Sequence, residues 1–272
     1  LVKFMTGINI GWLAPMLHQL KNSPETAFTS EQCAWIAALH YLTRGFSPFL
    51  SVFIVDRLGR NFIFRCSSFI CFIVWIAVYV SKDAYVHYAV RLIFGIGVGI
   101  LETTISIYIG ENCSSEFRGV FSGVTVAFFY FGEVVEFILV ACLSYEDVAI
   151  CNGAIGLIVI LSTILLKEPV HYLIAKGKLD KAERNYHYLH DLKRMDSKFE
   201  FEDIKLYIGE EQERKSPFSF RGYQSKEVRK SLRIVSIVNF LCVGCGFSAV
   251  NSFVTIALAS SPNSSELTII FG

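Results

Sequence analysis

Charged side chains are scarce in most of this sequence. Asp, Glu, Lys and Arg together make up 18% of the 272 residues, and the formal net charge is only +1. Sixteen of the 25 basic residues lie within residues 167–233, but so do 12 of the 24 acids, so the charges do not indicate a surface that binds nucleic acid. Hydrophobic residues account for 53% and the mean hydropathy is +0.48. This is more apolar surface than a soluble domain buries.

Paired cysteines and metal-binding clusters are also lacking. The eight cysteines are scattered, mostly inside apolar runs, without the short spacings of disulfide-rich secreted domains. Cys242 and Cys245 form a CxxC that stands alone in an apolar run, which is weak evidence for a metal or redox site. The sequence contains no HExxH and no GxSxG. We therefore expect no enzyme, no metal and no cofactor.

Seven apolar segments are long enough to cross a bilayer, which requires about 20 residues of helix. No segment alternates in the manner of a barrel strand, and helices satisfy all their backbone groups in lipid. The sequence predicts an all-α membrane protein with spans near residues 2–20, 34–55, 62–80, 86–109, 120–143, 148–166 and 233–259.

The positions of basic residues predict the sidedness of these spans. The loop after the second span contains Arg57, Arg60 and Arg65, the loop after the fourth contains Arg118, and the stretch after the sixth is rich in Lys and Arg. The opposite loops contain only two lysines. Because cytoplasmic loops are enriched in basic residues, we expect these loops and the N-terminus to be cytoplasmic.

The same pattern predicts three regions and an incomplete chain. The charged stretch contains short amphipathic segments, such as Leu179, Ala182 and Tyr186 at spacings of three and four. The chain begins with Leu, and a new apolar run starts at Thr268, so we expect it to be cut at both ends. The regions are an N-terminal six-helix transmembrane lobe (1–166), a cytoplasmic helical insert (167–232) and the start of a C-terminal transmembrane lobe (233–272).

Charged residues recur where the predicted spans reach the cytoplasmic side. A DRxGR sequence follows the second span, YxxE and a later Arg-Gly pair follow the fourth, and an acid follows the sixth. Charges that meet across this mouth can form a cluster in one conformation and lose it in another. The alternative is an ordinary positively charged flank with a turn glycine. The predicted cytoplasmic gate comprises Asp56, Arg57, Gly59, Arg60, Glu111, Arg118 and Glu168.

Three alternate glycines follow an arginine in the fourth span. Arg91, Gly95, Gly97 and Gly99 lie inside a continuous apolar helix rather than between a strand and a helix, so a dinucleotide-binding loop is excluded. Small residues let membrane helices approach closely. We expect these four positions to serve helix packing, with Arg91 facing the bundle or the outer interface.

In this order, the sequences DRxGR, RxxxGxGxG, YxxE and Arg-Gly resemble the sugar-porter family of the major facilitator superfamily. Gly11-Trp12-Leu13-Ala14-Pro15 in the first span makes the chain most similar to the facilitated trehalose transporter branch. The resemblance implies twelve helices in two lobes, with the solute bound between them near the membrane midplane and alternating access to the two sides.

The resemblance also implies candidate solute-binding positions. Val126 occupies the place of a sugar-contacting glutamine in the fifth span, and Cys245 and Gly246 replace two more glutamines in the seventh. Ser248 and Asn251 match the family pattern. Because three amides are missing, ordinary hexose affinity does not follow from the resemblance.

Three acids lie inside predicted spans: Glu102, Glu133 and Glu136. Glu133 is seven residues after Val126, so the two lie about 20° apart on the helix. Glu133 is a candidate to accept solute hydroxyls or to titrate in proton coupling, and the alternative is a carboxylate paired with a residue such as Arg44.

Together these features predict a multi-pass membrane carrier, in the plasma membrane, for a small polar solute such as trehalose or a hexose. Proton coupling stays open beside facilitated diffusion. The expected partners are the solute and the lipid bilayer, without nucleic acid. The alternatives are a non-transporting sugar sensor or receptor and a degenerate, truncated transporter.

Overall fold

The structure is a computed structural model that describes residues 1–22, 28–113, 115–189, 202, 204–206, 208–209 and 226–246. Every regular element among these residues is an α-helix, which confirms the all-α prediction. The helices are α1 (Val2–Gly11), α2 (Leu13–Asn22), α3 (Ser30–Leu58), α4 (Arg60–Val80), α5 (Ala84–Asn112), α6 (Ser115–Cys142), α7 (Tyr145–Ile164), α8 (Val170–Ala175), α9 (Leu179–Leu189) and α10 (Lys226–Gly244).

The first predicted span is divided into α1 and α2 at Trp12. Pro15 lacks the N–H that would bond to the carbonyl of Gly11, so the regular hydrogen-bond ladder is interrupted there. Bonds from Trp12 N to Ile8 O (3.0 Å) and from Met16 N to Trp12 O (3.2 Å) carry the chain across the break. Pro15 then lies in the first turn of α2, where its missing donor costs least.

Local signals set the ends of the long helices. Thr29 and Gln32 form a capping box at the start of α3, with Gln32 N donating to Thr29 Oγ1 at 3.2 Å. Asp83 caps α5 by accepting from Tyr85 N at 3.1 Å. Gly59 has φ of 92°, a conformation that favours glycine, and it alone separates α3 from α4.

Four of the described helices are long and apolar enough to cross a membrane: Arg60–Val80, Ala84–Asn112, Glu116–Cys142 and Tyr145–Ile164. Helix α3 has 29 residues, about 44 Å of helix, but it carries more polar side chains. The helix at the seventh predicted span, α10, starts at Lys226, before the predicted residue 233, and is not among these four. Its predicted continuation to residue 259 lies outside the described residues.

Helix pairs build the first compact unit, Leu1–Pro169. Helix α3 packs along α5, α1 along α6, and α4 against both α5 and α7. Trp12 and Trp75 meet edge to face in the core, with ring centroids 5.8 Å apart. Large apolar side chains such as Phe49 (70% exposed) and Leu165 (83% exposed) cover the outside. A surface this apolar suits lipid rather than water.

The second compact unit begins at Val170. Helices α8 and α9 pack through Leu173, Ala182 and Tyr186, which are all buried. Of the three residues predicted to form an apolar helix face, Ala182 and Tyr186 therefore lie in this small core, whereas Leu179 is 40% exposed. The division into lobe, insert and second lobe stays a prediction.

Candidate solute-transport site

Arg60 is the centre of an ion cluster at the predicted cytoplasmic mouth. Its Nε donates to Glu111 Oε2 at 3.0 Å and its Nη2 to Glu111 Oε1 at 2.6 Å. The Arg60 side chain is 7% exposed, whereas its second partner Asp56, at 3.1 Å, is 77% exposed. The bidentate bond to Glu111 is the geometry that the guanidinium fork favours, so Glu111 is the stronger partner.

Glu168 attaches the segment after α7 to the N-terminus of α4. Its carboxylate accepts from Arg60 N at 3.2 Å and from Asn61 N at 3.1 Å, using backbone donors that the first turn of a helix leaves unpaired. Burial raises the pKa of the Glu168 carboxyl, although these N–H groups and the charges of Arg60 and Arg65 oppose the shift.

Two further bonds strengthen this attachment. Asn61 Nδ2 donates to Leu166 O at 2.6 Å, and the Tyr108 hydroxyl donates to Lys167 O at 3.1 Å. Sequence reasoning did not assign Asn61 to the cluster. Tyr108 is the first residue of the YxxE sequence, so its position was marked although its bond was not predicted.

The structure brings together five of the seven predicted gate residues: Asp56, Gly59, Arg60, Glu111 and Glu168. The other two lie at its edge. Arg57 is exposed at the end of α3, and Arg118 donates to the Gly110 carbonyl at 3.2 Å.

Arg91 is buried inside the bundle, with 3% of its surface exposed. Its Nη1 donates to Asn9 O at 3.3 Å, and its guanidinium carbon lies 4.7 Å from the centroid of the Trp12 ring. The predicted alternatives were the bundle and the outer interface, and the side chain lies in the bundle. A cation–π contact of this kind partly offsets the burial of the charge.

The glycines after Arg91 differ in their surroundings. A Cβ on Gly95 would meet Thr43 Oγ1, and a Cβ on Gly99 would meet Ser47 Cβ and, at 2.8 Å, the Arg44 carbonyl. Gly97 instead leaves 3.7 Å to its nearest neighbour outside α5. Gly95 and Gly99 therefore permit the close approach of α3 to α5, and Gly97 does not contribute to it.

Glu133 and Glu136 are both buried, at 6% and 0% exposure. A Cβ on Gly11 of α1 would lie 3.2 Å from Glu133 Cγ, whereas Val126 is 52% exposed. The two positions therefore differ in environment despite their shared helical phase, because α1 covers one of them. Glu136 accepts a bond of 2.8 Å from Asn152 Nδ2 in α7.

Arg44, the example given for a partner of Glu133, pairs with Glu102 instead. Arg44 Nε and Nη2 donate to the two oxygens of Glu102 at 2.8 Å each. Lys3 Nζ donates to the same carboxylate at 3.0 Å. Lys3 was not among the predicted site residues. A charged residue inside an apolar span is rare and usually has a partner, so its position in the first predicted span was a usable signal.

The candidate positions on the seventh span are described only in part. Cys245 is exposed, and Gly246 has φ of 76° in the turn that ends α10. Ser248 and Asn251 lie outside the described residues. In the described part of the chain, no group of three or more His, Cys, Asp and Glu residues is arranged to hold a metal ion.

Known sequences that are similar to this chain are transporters and a sugar-sensing protein. Residues 1–271 match a family model described as "Sugar (and other) transporter". The facilitated trehalose transporter Tret1 of Polypedilum vanderplanki is 20% identical over 187 residues, which cover 68% of this chain and 37% of that protein. Monosaccharide-sensing protein 3 of Arabidopsis thaliana is 28% identical over 136 residues, covering 47% of this chain and 19% of that protein.

Among solved structures, the chain is similar to a partially occluded, inward-open conformation of the xylose transporter XylE from E. coli. The TM-score is 0.70 at 15% identity, and the match covers 93% of this chain and 64% of that one. The fold is therefore that of a major facilitator, and the chain spans little more than a third of the length of Tret1.

Proposed function

Because this chain belongs to the sugar transporter family, we propose that the full-length protein carries a small sugar across a membrane by alternating access. The observation that supports this most is the ion cluster around Arg60, which joins the start of α4, the end of α5 and the segment after α7. These are three separate points at the predicted cytoplasmic mouth of one lobe.

The cluster has the chemistry of a gate. A bidentate pair between largely buried groups is stable when it is intact, but it is costly to separate without another source of hydrogen bonds. Water that enters the mouth supplies such bonds. The cluster thus favours two discrete states over a continuous opening, as alternating access requires.

The proposed solute is trehalose or a hexose. A relative named a facilitated trehalose transporter supports this choice, and Val126 offers an exposed position for a solute on α6. We further propose that the protein resides in the plasma membrane with a cytoplasmic N-terminus, since the basic residues of the loops favour that orientation.

Uptake by the full-length protein in oocytes tests this proposal. We expect labelled trehalose or glucose to enter faster than in water-injected controls, and a protonophore to slow entry only if protons are coupled. Val126→Gln restores the amide that the family carries and should raise neutral sugar uptake, since a hydrogen bond adds about 0.5–1.5 kcal/mol. Entry no faster than in controls for every solute tested, with the protein at the surface, would reject the transport proposal.

A sugar sensor is the second candidate, and the missing amides favour it. Val126, Cys245 and Gly246 all lack the side chains that hydrogen-bond a sugar in the family pattern, and one relative is named a monosaccharide-sensing protein. Saturable sugar binding to the purified protein without uptake would support the sensor over the carrier.

A further inference from the structure

Lys3, Arg44 and Glu102, which we call the ion triad, lie away from the cytoplasmic mouth. Glu102 is ten residues before the end of α5 and Arg44 is fourteen before the end of α3, or about 15 Å and 21 Å along the helices. Arg44 is the central residue of α3, and Glu102 lies four residues past the centre of α5, so both positions fall inside a hydrocarbon core of about 30 Å. The ion triad also joins α1 to α3 and α5.

The charges of the ion triad do not balance. Arg44 holds both oxygens of Glu102, and Lys3 shares one of them. Two cations therefore share one carboxylate, and the ion pairs found among the described residues give neither cation a second acid. The ion triad has a formal charge of +1 at a depth where an uncompensated charge is unfavourable.

The ion triad is also open on one side. The side chains of Lys3, Glu102 and Arg44 are 19%, 22% and 29% exposed. Charged groups at this depth do not face lipid, so the open side must face water or protein. An open, positively charged site inside a carrier suits an anion that binds and leaves.

The ion triad lies beside the position proposed for the solute. Lys3 Nζ is 5.9 Å from the centroid of the Phe129 ring, and Phe129 is three residues after Val126 on α6, about 60° around the helix. The amide that would bind a neutral hydroxyl is absent at Val126, while Lys3 lies over Phe129, about one turn further along α6, and shares Glu102 with Arg44. The local chemistry thus favours negative charge over additional hydroxyl groups.

We propose that Lys3 and Arg44 bind an anionic group on the transported sugar, so that the carrier prefers a sugar acid or a sugar phosphate to neutral trehalose or hexose. The inference rests on the proposed transport function. The guanidinium fork of Arg44 matches a carboxylate or phosphate in two parallel bonds. Glu102 occupies that fork when the site is empty, and the solute anion displaces it.

Binding to the purified full-length protein, followed by thermal shift, tests the inference with glucuronate, glucose 6-phosphate and glucose as probes. We expect either anion to bind at least about tenfold more tightly than glucose, as charge-assisted bonds allow. Preference for glucuronate identifies a carboxylate site, and preference for glucose 6-phosphate a phosphate site. Equal affinity for all three probes would overturn the inference.

Variants separate a binding role from a structural one. Arg44→Gln should abolish the anion preference, whereas Glu102→Gln removes the competing carboxylate and should tighten anion binding several-fold. Tighter binding cannot result from misfolding, so Glu102→Gln stays informative if Arg44→Gln fails to fold. Lys82→Gln removes a lysine on the predicted outer side that pairs with Glu146 at 3.3 Å and should leave the preference intact. If Glu102→Gln lowers stability but leaves anion affinity unchanged, the ion triad only joins helices and the inference is wrong.

Uptake distinguishes the failure of this inference from failure of the transport proposal. Entry of glucose or trehalose but neither anion would overturn the anion site and leave transport standing. Anion binding that depends on Arg44, without entry of any solute, would support the anion site and overturn the transport proposal. Anion entry that falls in Lys3→Gln and Arg44→Gln would support both.

Discussion

Arg60 makes more of the side-chain bonds at the predicted cytoplasmic mouth than any other residue described. It holds Glu111 through two bonds and Asp56 through a third, while its backbone N–H reaches Glu168. We expect Arg60→Gln to lower the free energy of unfolding in detergent by about 2–4 kcal/mol, because Glu111 is left largely buried without its partner. Thermal unfolding of the full-length protein measures this loss.

The control for Arg60 is the pair of Lys82 and Glu146, which lies on the predicted outer side. The Glu146 side chain is 59% exposed. Lys82→Gln should cost less than about 1 kcal/mol, as exposed ion pairs contribute little. Exchanging the charges in Arg60→Glu with Glu111→Arg should recover part of the loss. Equal losses for Arg60→Gln and Lys82→Gln would contradict the central place given to Arg60.

The contribution of Glu168 to stability should depend on pH. Burial raises the pKa of this carboxyl above its ordinary value of 4.5, so the folded state holds the proton more tightly than the unfolded state. Its contribution to stability is therefore greatest below pH 4.5 and is lost as the pH rises through the folded pKa. The unfolding temperature of wild type minus that of Glu168→Gln should fall as the pH rises from 4.5 through the folded pKa of Glu168. A difference that rises with pH would contradict the assignment.

Residue types and spacing predicted most of this cluster but not its full membership. Acids and arginines at the ends of predicted spans must lie near one interface, so Arg60, Glu111 and Glu168 were identifiable from the sequence. Asn61 and the carbonyl of Leu166 were not, because an amide beside an arginine has many possible partners. The pairing of Arg44 with Glu102 rather than Glu133 depends on which helices are neighbours, and hydropathy does not contain that information.

Gly99 of α5 determines how closely α3 and α5 pack. Gly99→Ala would place a methyl group against Ser47 and the Arg44 carbonyl, so α3 must move away from α5. We expect a loss of about 1–3 kcal/mol, typical of overpacking. Thermal unfolding in detergent checks the value.

Gly97→Ala is the matched control in the same helix. Its new Cβ would lie 3.7 Å from Ile70, an ordinary contact, and alanine favours the helix by about 1 kcal/mol over glycine. This variant should therefore be as stable as wild type or slightly more stable. Similar losses in Gly97→Ala and Gly99→Ala would mean that the glycines act through the backbone and not through close packing.

Hydropathy located the helices better than their ends. Spans predicted at 62–80 and 120–143 lie within or close to α4 and α6, because long apolar runs are the strongest signal for a membrane helix. The first span was predicted without its break, since Pro15 in an apolar run does not reveal whether a helix bends, pauses or continues. The early start of α10 has a different cause. Its first turns are polar, and hydropathy does not detect the polar turns of a helix.

Helices α1–α7 of the first compact unit have an apolar exterior and two separate polar clusters. The mouth cluster around Arg60 and the ion triad around Glu102 are joined by α5, which carries Glu111 and Glu102 nine residues apart. This is about 14 Å along one helix. Movement of α5 relative to its neighbours would therefore affect both clusters, which couples solute binding to the gate in the proposed mechanism.

Alternating access is tested most directly by the reaction of Val126→Cys with a membrane-impermeant thiol reagent, in full-length protein whose native cysteines are replaced by serine. Lys82→Cys and Arg57→Cys mark the predicted outer and inner faces. We predict that Val126→Cys reacts from outside in intact cells and from inside in inverted vesicles, and that saturating solute slows both reactions. Reaction from one face only, unaffected by any solute, would contradict the account.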